Sequence, residues 1–289
     1  MCRFSRGLTP PFGGPPLSLA AQVLPLDQGR SPIVLVFPAD VDAVLETYIA
    51  SGRESLDPYW SRPWPSAVAL AEGARWRGRL LWNARGGPFD PSRVPPLSTV
   101  LLQRPALSSG RAVCDLGAGL GVGGLAAALA GASRVVLLDR EPLALQCALL
   151  SARASGLDAA DPEDVAQDTG TALALGRQVS AAVLDWSVAY RGPPFELCIA
   201  CDVLYETFSV DPVARLVPQL LGGRDGSQLV LADPPTRTPA NRARFVDLVG
   251  VGGLVLEEAR TAATALDAMA AVRDDGGLPS QQLHRMLCP

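Results

Sequence analysis

The chain has 289 residues, 48% of them hydrophobic and 19% charged, enough for a buried core of enzyme size. Its formal net charge of −4 argues against a broad phosphate-binding surface, so duplex nucleic acid is a poor partner. All 25 basic residues are arginine, which excludes a lysine nucleophile or Schiff base in this chain. No apolar run reaches the roughly 18–20 residues of a membrane span, so a soluble chain with no membrane partner is expected.

In chain order, residues 1–39 read as an N-terminal extension. Its first 26 residues hold Arg3 and Arg6 but no acid, the composition of a disordered tail or of an organelle-targeting peptide. The expected location is cytoplasmic, with an organelle as the alternative. Residues 40–289 then form a single domain. Helical periodicity covers 40–51, and a second helix opens at Pro65, just after Trp64, and runs to 74. Residues 75–104 carry Trp, Arg, Gly and Pro without steady periodicity and are expected to form a surface insertion.

From residue 111 onward, short Val/Leu/Ile runs alternate with longer Ala/Leu-rich segments, the pattern of repeated βα units on a parallel sheet. Strands are expected over 111–116, 134–139, 179–184, 196–202, 228–233, 254–260 and 283–288. Helices are expected over 122–130, 142–155, 211–221 and 240–248, with Pro142 and Pro212 in first turns. Residues 158–176 read as a polar loop. The fold class is therefore α/β, a doubly wound, seven-stranded, mostly parallel sheet.

Six cysteines lie scattered in the chain, mostly inside apolar runs, as buried reduced thiols do. Cys198 and Cys201 form a CxxC within a strand, where side chains three apart face opposite ways. With His284 the chain's single histidine, no metal site is expected.

The chemistry-bearing signal is Val113-Cys-Asp-Leu-Gly-Ala-Gly-Leu-Gly121, an apolar strand ending in an acid and running through Gly117, Ala118, Gly119 and Gly121 into a helix. Glycines there allow a tight turn and close approach of a ligand to the backbone. Asp115 would disfavour a pyrophosphate and would accept a hydrogen bond from the amino group of a methionine moiety. A close-packed structural turn is the alternative. Gly119, Gly121 and Gly124 also satisfy the dinucleotide-binding GxGxxG, but register opposes it. The strand ends by Leu116, which makes Gly117 the first turn glycine and puts Val122 in the third glycine's place. Asp139, closing the next strand, suits a ribose-hydroxyl acceptor under either scheme. Asp185 and Trp186 end the third strand, where they could flank an adenine or serve as a strand-end cap with a core tryptophan. Asp202 and Tyr205, in Cys201-Asp-Val-Leu-Tyr205, fall at the carboxyl edge of the sheet, where such folds bind ligands; a helix cap with a packed tyrosine is the alternative.

Together these elements resemble the seven-strand methyltransferases, and more narrowly the protein-lysine methyltransferase family numbered sixteen. The resemblance spans about 57–260 and rests on Pro58-Tyr-Trp60 and Trp64-Pro65, Asp115-Leu-Gly-Ala-Gly119, Asp139, Asp185-Trp186 and Asp202-Val-Leu-Tyr205. It implies a Rossmann-like class I fold and an S-adenosyl-L-methionine cofactor. It also implies a cofactor pocket lined by Trp64, the turn at Gly117–Gly119, Asp139, Trp186 and Cys201, with Asp202 and Tyr205 at the acceptor, and a protein lysine as that acceptor. A small-molecule N- or O-methyltransferase and a catalytically silent binding protein are the alternatives. The segment Asp233-Pro-Pro-Thr236, with Arg237, Asn241 and Arg242, has no assigned role.

Overall fold

The computed structural model describes residues 2–3, 7–24, 26, 31–64, 67, 79–84, 105–233, 238–251 and 254–260. In chain order the elements are β1 (Cys2–Arg3), β2 (Leu19–Leu24), β3 (Ile33–Pro38), α1 (Val41–Ala50), β4 (Arg79–Ala84), β5 (Ala112–Leu116), α2 (Val122–Leu129), β6 (Arg134–Asp139) and α3 (Pro142–Ala154). They continue with α4 (Thr169–Ala174), β7 (Val179–Val183), β8 (Leu197–Cys201), α5 (Thr207–Leu221), β9 (Gln228–Ala232), α6 (Pro239–Val251) and β10 (Leu254–Arg260).

Seven strands join one sheet in the order β10-β4-β9-β8-β5-β6-β7. The five from β5 to β9 pair in parallel, while β4 runs antiparallel to both β9 and β10. Strands such as β8 are buried along their whole length because helices cover both faces, which is why they read as unbroken apolar runs. One face packs Val113, Leu137, Ile199 and Val230 against α2 and α3; the other packs Cys114, Val136, Cys198 and Leu229 with α5 and α6. Cys198 and Cys201 fall into these two separate cores, as the strand alternation predicts. Between β5 and β8 the strand order reverses direction. The carboxyl ends of these strands therefore open a crevice at the topological switch point.

The expected strands 111–116, 134–139, 179–184, 196–202, 228–233 and 254–260 all appear, within a residue or so at each end. The expected strand 283–288 lies outside the described residues, as do His284, Cys288 and nearly all of the expected helix 65–74. Two expectations fail. Residues 79–84, read as part of a surface insertion, are a sheet strand, whose long-range antiparallel pairing left no local pattern to detect. Within 1–39, β2 and β3 form a buried antiparallel hairpin rather than a loose tail. The outer edge of β3 is satisfied by a helix: Val34 N–H donates to Ser155 Oγ at 2.9 Å and Val36 N–H to Ser151 Oγ at 2.8 Å. Two residues of strand rise about 6.6 Å and four of helix about 6 Å, so the two repeats stay in step.

Two local differences have simple causes. The loop expected over 158–176 contains α4, because Asp168 caps it by accepting from Thr171 N–H at 2.8 Å. α5 begins at Thr207, upstream of expectation, which leaves Pro212 and Pro218 inside the helix instead of placing Pro212 in its first turn.

Candidate functional site

Gly117, Gly119 and Gly121 all have positive φ (69°, 51° and 78°), so the turn after β5 needs glycine at each. It is fixed by Gly117 and Ala118 N–H groups donating to Leu138 O at 2.8 and 3.0 Å. A Cβ on Gly117 would stand 2.8 Å from Val203 Cγ1 and 3.0 Å from Trp186 Cζ2, so the loops after β7 and β8 close directly onto this turn. At Gly119 the nearest atom to such a Cβ among the described residues would be Trp60 O at 4.0 Å, so these residues leave that backbone open to a ligand. Gly124 has a packing role instead, since its Cβ would meet Leu137 Cδ2 at 2.4 Å. β5 ends at Leu116, as the register argument against a dinucleotide fingerprint requires.

Two carboxylates flank the turn. Buried Asp115 accepts from Gly124 N–H at 2.7 Å, which ties strand to helix. Burial pushes its carboxyl up to about 7, against the lowering effect of that bond and with a smaller raising contribution from Asp139. Asp139 accepts from Gly119 N–H at 2.9 Å through Oδ2 and from Glu141 N–H at 3.0 Å through Oδ1. Burial raises its carboxyl as well, and those two donors oppose the shift. Each oxygen keeps a second lone pair for a ligand hydroxyl.

Arg62, Pro63, Trp64, Leu120 and Cys201 line a cleft together with Asp115, Gly117 and Ala118. Trp64 is brought there by the segment after the 3-10 helix Pro58–Ser61, whose Tyr59 ring meets it edge-on with centroids 6.4 Å apart. Burial holds the Cys201 thiol well above its ordinary range, with the charges of Asp115 and Asp202 adding to the effect. Cys201 is therefore a neutral wall. Asp185 differs from its partner Trp186. It is exposed, and one carboxylate oxygen accepts from both Ser187 N–H (2.8 Å) and Ser187 Oγ (2.7 Å), which lowers its pKa. Asp185 thus caps a local turn, while Trp186 lies against Gly117.

Asp202 is buried, and among the described residues it is the one non-glycine with positive φ, at 55°. That conformation strains an L residue by about 1 kcal/mol, least for Asp and Asn, and strain of this kind gathers at functional sites. Tyr205 sits half-buried three residues further along. The turn between them is pinned from outside. Asp202 N–H donates to Ala232 O at 2.8 Å, Ser209 Oγ to Val203 O at 3.1 Å, and Thr238 Oγ1 and Asn241 Nδ2 to Leu204 O at 3.0 and 2.9 Å. Asn241 thereby gains a role, and Arg242 pairs with buried Asp233 at 2.7 Å. Residues 234–237 lie outside the described residues.

No protein-family model matches the chain. It is 26% identical over 191 residues to the electron transfer flavoprotein beta subunit lysine methyltransferase of Danio rerio, covering 66% of this chain and 53% of that protein. The Mus musculus protein of the same name is 30% identical over 102 residues, 35% of this chain and 29% of that one. The resemblance drawn from the motifs is found again here. The fold itself is α/β, with a Rossmann-like, seven-stranded, mostly parallel sheet. The chain spans about half the length of the Danio rerio relative and under a third of the Mus musculus one. Among solved structures, a ribosomal protein methylase from Lactobacillus delbrueckii subsp. bulgaricus is 19% identical, covering 50% of this chain and 62% of that one at a TM-score of 0.32. Among the described residues, no helix is long and apolar enough to cross a membrane.

Proposed function

We propose that the chain is an S-adenosyl-L-methionine-dependent methyltransferase, and within that class a protein-lysine N-methyltransferase. The observation that carries this reading is the pair of carboxylates, Asp115 and Asp139, flanking a glycine turn whose Gly119 backbone the described residues leave open. Two acids beside the turn oppose a diphosphate and suit a cationic amino-acid group and a ribose. The residues present fit that cofactor. Asp115, giving up its proton as the cofactor enters, pairs in ionised form with the ammonium of its methionine moiety, Asp139 accepts from its ribose hydroxyls, and Trp64, Gly117–Gly119, Trp186 and Cys201 form the walls. Gly121 sets the start of α2. Bound S-adenosyl-L-methionine supplies a methyl group activated by a sulfonium. Direct in-line transfer then asks the protein only for alignment and a neutral amine.

Asp202 is assigned to the acceptor side, where its charge draws in the ammonium form of a lysine and holds it for proton loss to water. Tyr205 packs on or hydrogen-bonds the amine. The protein acceptor is supported by the names of the Danio rerio and Mus musculus relatives, which makes the electron transfer flavoprotein β subunit the first acceptor to try. Because this chain has no lysine, self-labelling at lysine is impossible and the background is clean.

The test is transfer of labelled methyl from the cofactor to that subunit and, in parallel, to small amines. Acid-precipitable label that disappears in Asp202→Asn supports the reading. Label confined to soluble products moves the chain to small-molecule methylation, and no label in either fraction despite cofactor binding makes it a silent binding protein.

A further inference from the structure

A chain of buried polar contacts runs from α1 to the glycine turn, and neither the fold nor the site accounts for it. Trp60 Nε1 donates to Tyr48 Oη at 2.8 Å, and the Tyr48 hydroxyl lies beside the Glu141 carboxyl. The same Glu141 accepts from Leu143 N–H at 3.1 Å, and its own N–H donates to Asp139 Oδ1. Asp139 Oδ2 then receives Gly119 N–H, and among the described residues Trp60 O is the atom nearest the open side of Gly119. The contacts therefore run as a chain from Trp60 through Tyr48, Glu141 and Asp139 to Gly119. Tyr48, Trp60 and Glu141 are all buried, with relative exposures of 0%, 7% and 5%.

Buried polar groups of this kind hold position, because each breaks only at the expense of an unpaired neighbour. The direction of each bond follows from the donors. The indole N–H can only donate, so the Tyr48 oxygen accepts it and turns its own hydrogen to the Glu141 carboxylate. Around Glu141 stand Tyr48, Asp139 and Arg53. Burial raises its carboxyl, the Leu143 N–H and the tyrosine hydroxyl pull it down, and Asp139 and Arg53 act in opposite senses.

We propose that Tyr48 and Glu141 are positioning residues for cofactor binding. They couple the placement of 58–64, the cleft wall that carries Trp64, to the orientation of Asp139 on the opposite side of the glycine turn. The proposal rests on the cofactor reading given above. Tyr48→Phe removes the hydroxyl, leaves the indole N–H without its acceptor and leaves Glu141 with the Leu143 N–H alone. Glu141→Ala breaks the same chain on its other side, while Glu141→Gln keeps an oxygen that can accept from Leu143 N–H and from the tyrosine.

Two measurements on the full chain decide it. The first is amide hydrogen exchange without cofactor. Tyr48→Phe should speed exchange at least severalfold at Tyr59, Trp60 and Gly119 together, while 212–221 in α5 stays unchanged. The second is cofactor binding and turnover. Tyr48→Phe and Glu141→Ala should each raise the dissociation constant and KM for S-adenosyl-L-methionine about tenfold with little change in kcat. The double variant should be no worse than either single one, and Glu141→Gln should stay near wild type. Unchanged exchange at Gly119, additive losses in the double variant, or a fall in kcat with KM intact would overturn the proposal. If the exchange pattern appears but wild-type protein binds no cofactor, the coupling stands as a structural property and the methyltransferase reading fails.

Discussion

Replacing Asp202 by Gly, Ala and Asn separates backbone strain from function at one position. Its φ of 55° lies where glycine is at ease and alanine is strained, and both substitutions delete the same carboxylate. The difference between the Gly and Ala variants therefore reports the backbone alone, by about 1 kcal/mol in favour of Gly. For a domain of this size that corresponds to roughly 2–4 °C in melting temperature. Asn, which tolerates the left-handed region, should melt between the two or level with Gly. All three should lose methyl transfer while retaining cofactor affinity. Thermal melts followed by circular dichroism, with cofactor titrations on the same preparations, provide the assay. An Ala variant as stable as the Gly variant would refute the strain argument, and an active Ala variant would remove Asp202 from the acceptor site.

Three further outcomes follow from other contacts. Burial raises Asp115 from 3.8 to about 7, so the native state holds a proton there that the unfolded chain has released. Its contribution is present in full below pH ~4 and is lost as pH rises to ~7, by at most about 4 kcal/mol. Asp115→Asn should flatten that part of the profile of denaturant stability against pH, and an unchanged slope would contradict the assignment. Gly124→Ala forces a Cβ to within 2.4 Å of Leu137 Cδ2 and should destabilise the fold by about 1–3 kcal/mol in denaturant titrations, with equal stability refuting the packing role. Ser151→Ala with Ser155→Ala leaves the Val34 and Val36 N–H groups without their hydroxyl acceptors. A loss of about 2–4 kcal/mol and fast exchange at those two amides is expected, and protected amides would count against the hydroxyls as their partners.

The parallel core of the sheet was legible because strands buried on both faces are unbroken Val/Leu/Ile runs, and each of those expected within 111–260 is present. The run at 33–38 carried the same signal, Ile-Val-Leu-Val-Phe-Pro, but the Pro- and Gly-rich residues before it drew it into a tail. β4 lacked such a run, and its partners β9 and β10 lie far along the chain, so only the assembled sheet identifies it. Spacing alone placed the glycine turn after β5, the acids at 115 and 139 on β5 and β6, and residues 202 and 205 just past the end of β8. It could not separate Asp185 from Trp186, because the adjacent Ser187 that captures the carboxylate is ordinary in sequence. Nor could it find Tyr48, Glu141 or Asn241, whose partners are distant in the chain and meet only through packing.

The central claim is the identity of the cofactor, and calorimetric titration of the purified chain with S-adenosyl-L-methionine and its demethylated product tests it most directly, with NADH and an Asp139→Ala variant alongside. The account predicts micromolar binding of both sulfur compounds, at least tenfold weaker in the variant, and none of NADH. Absence of binding by the pair, or preference for NADH, would contradict it.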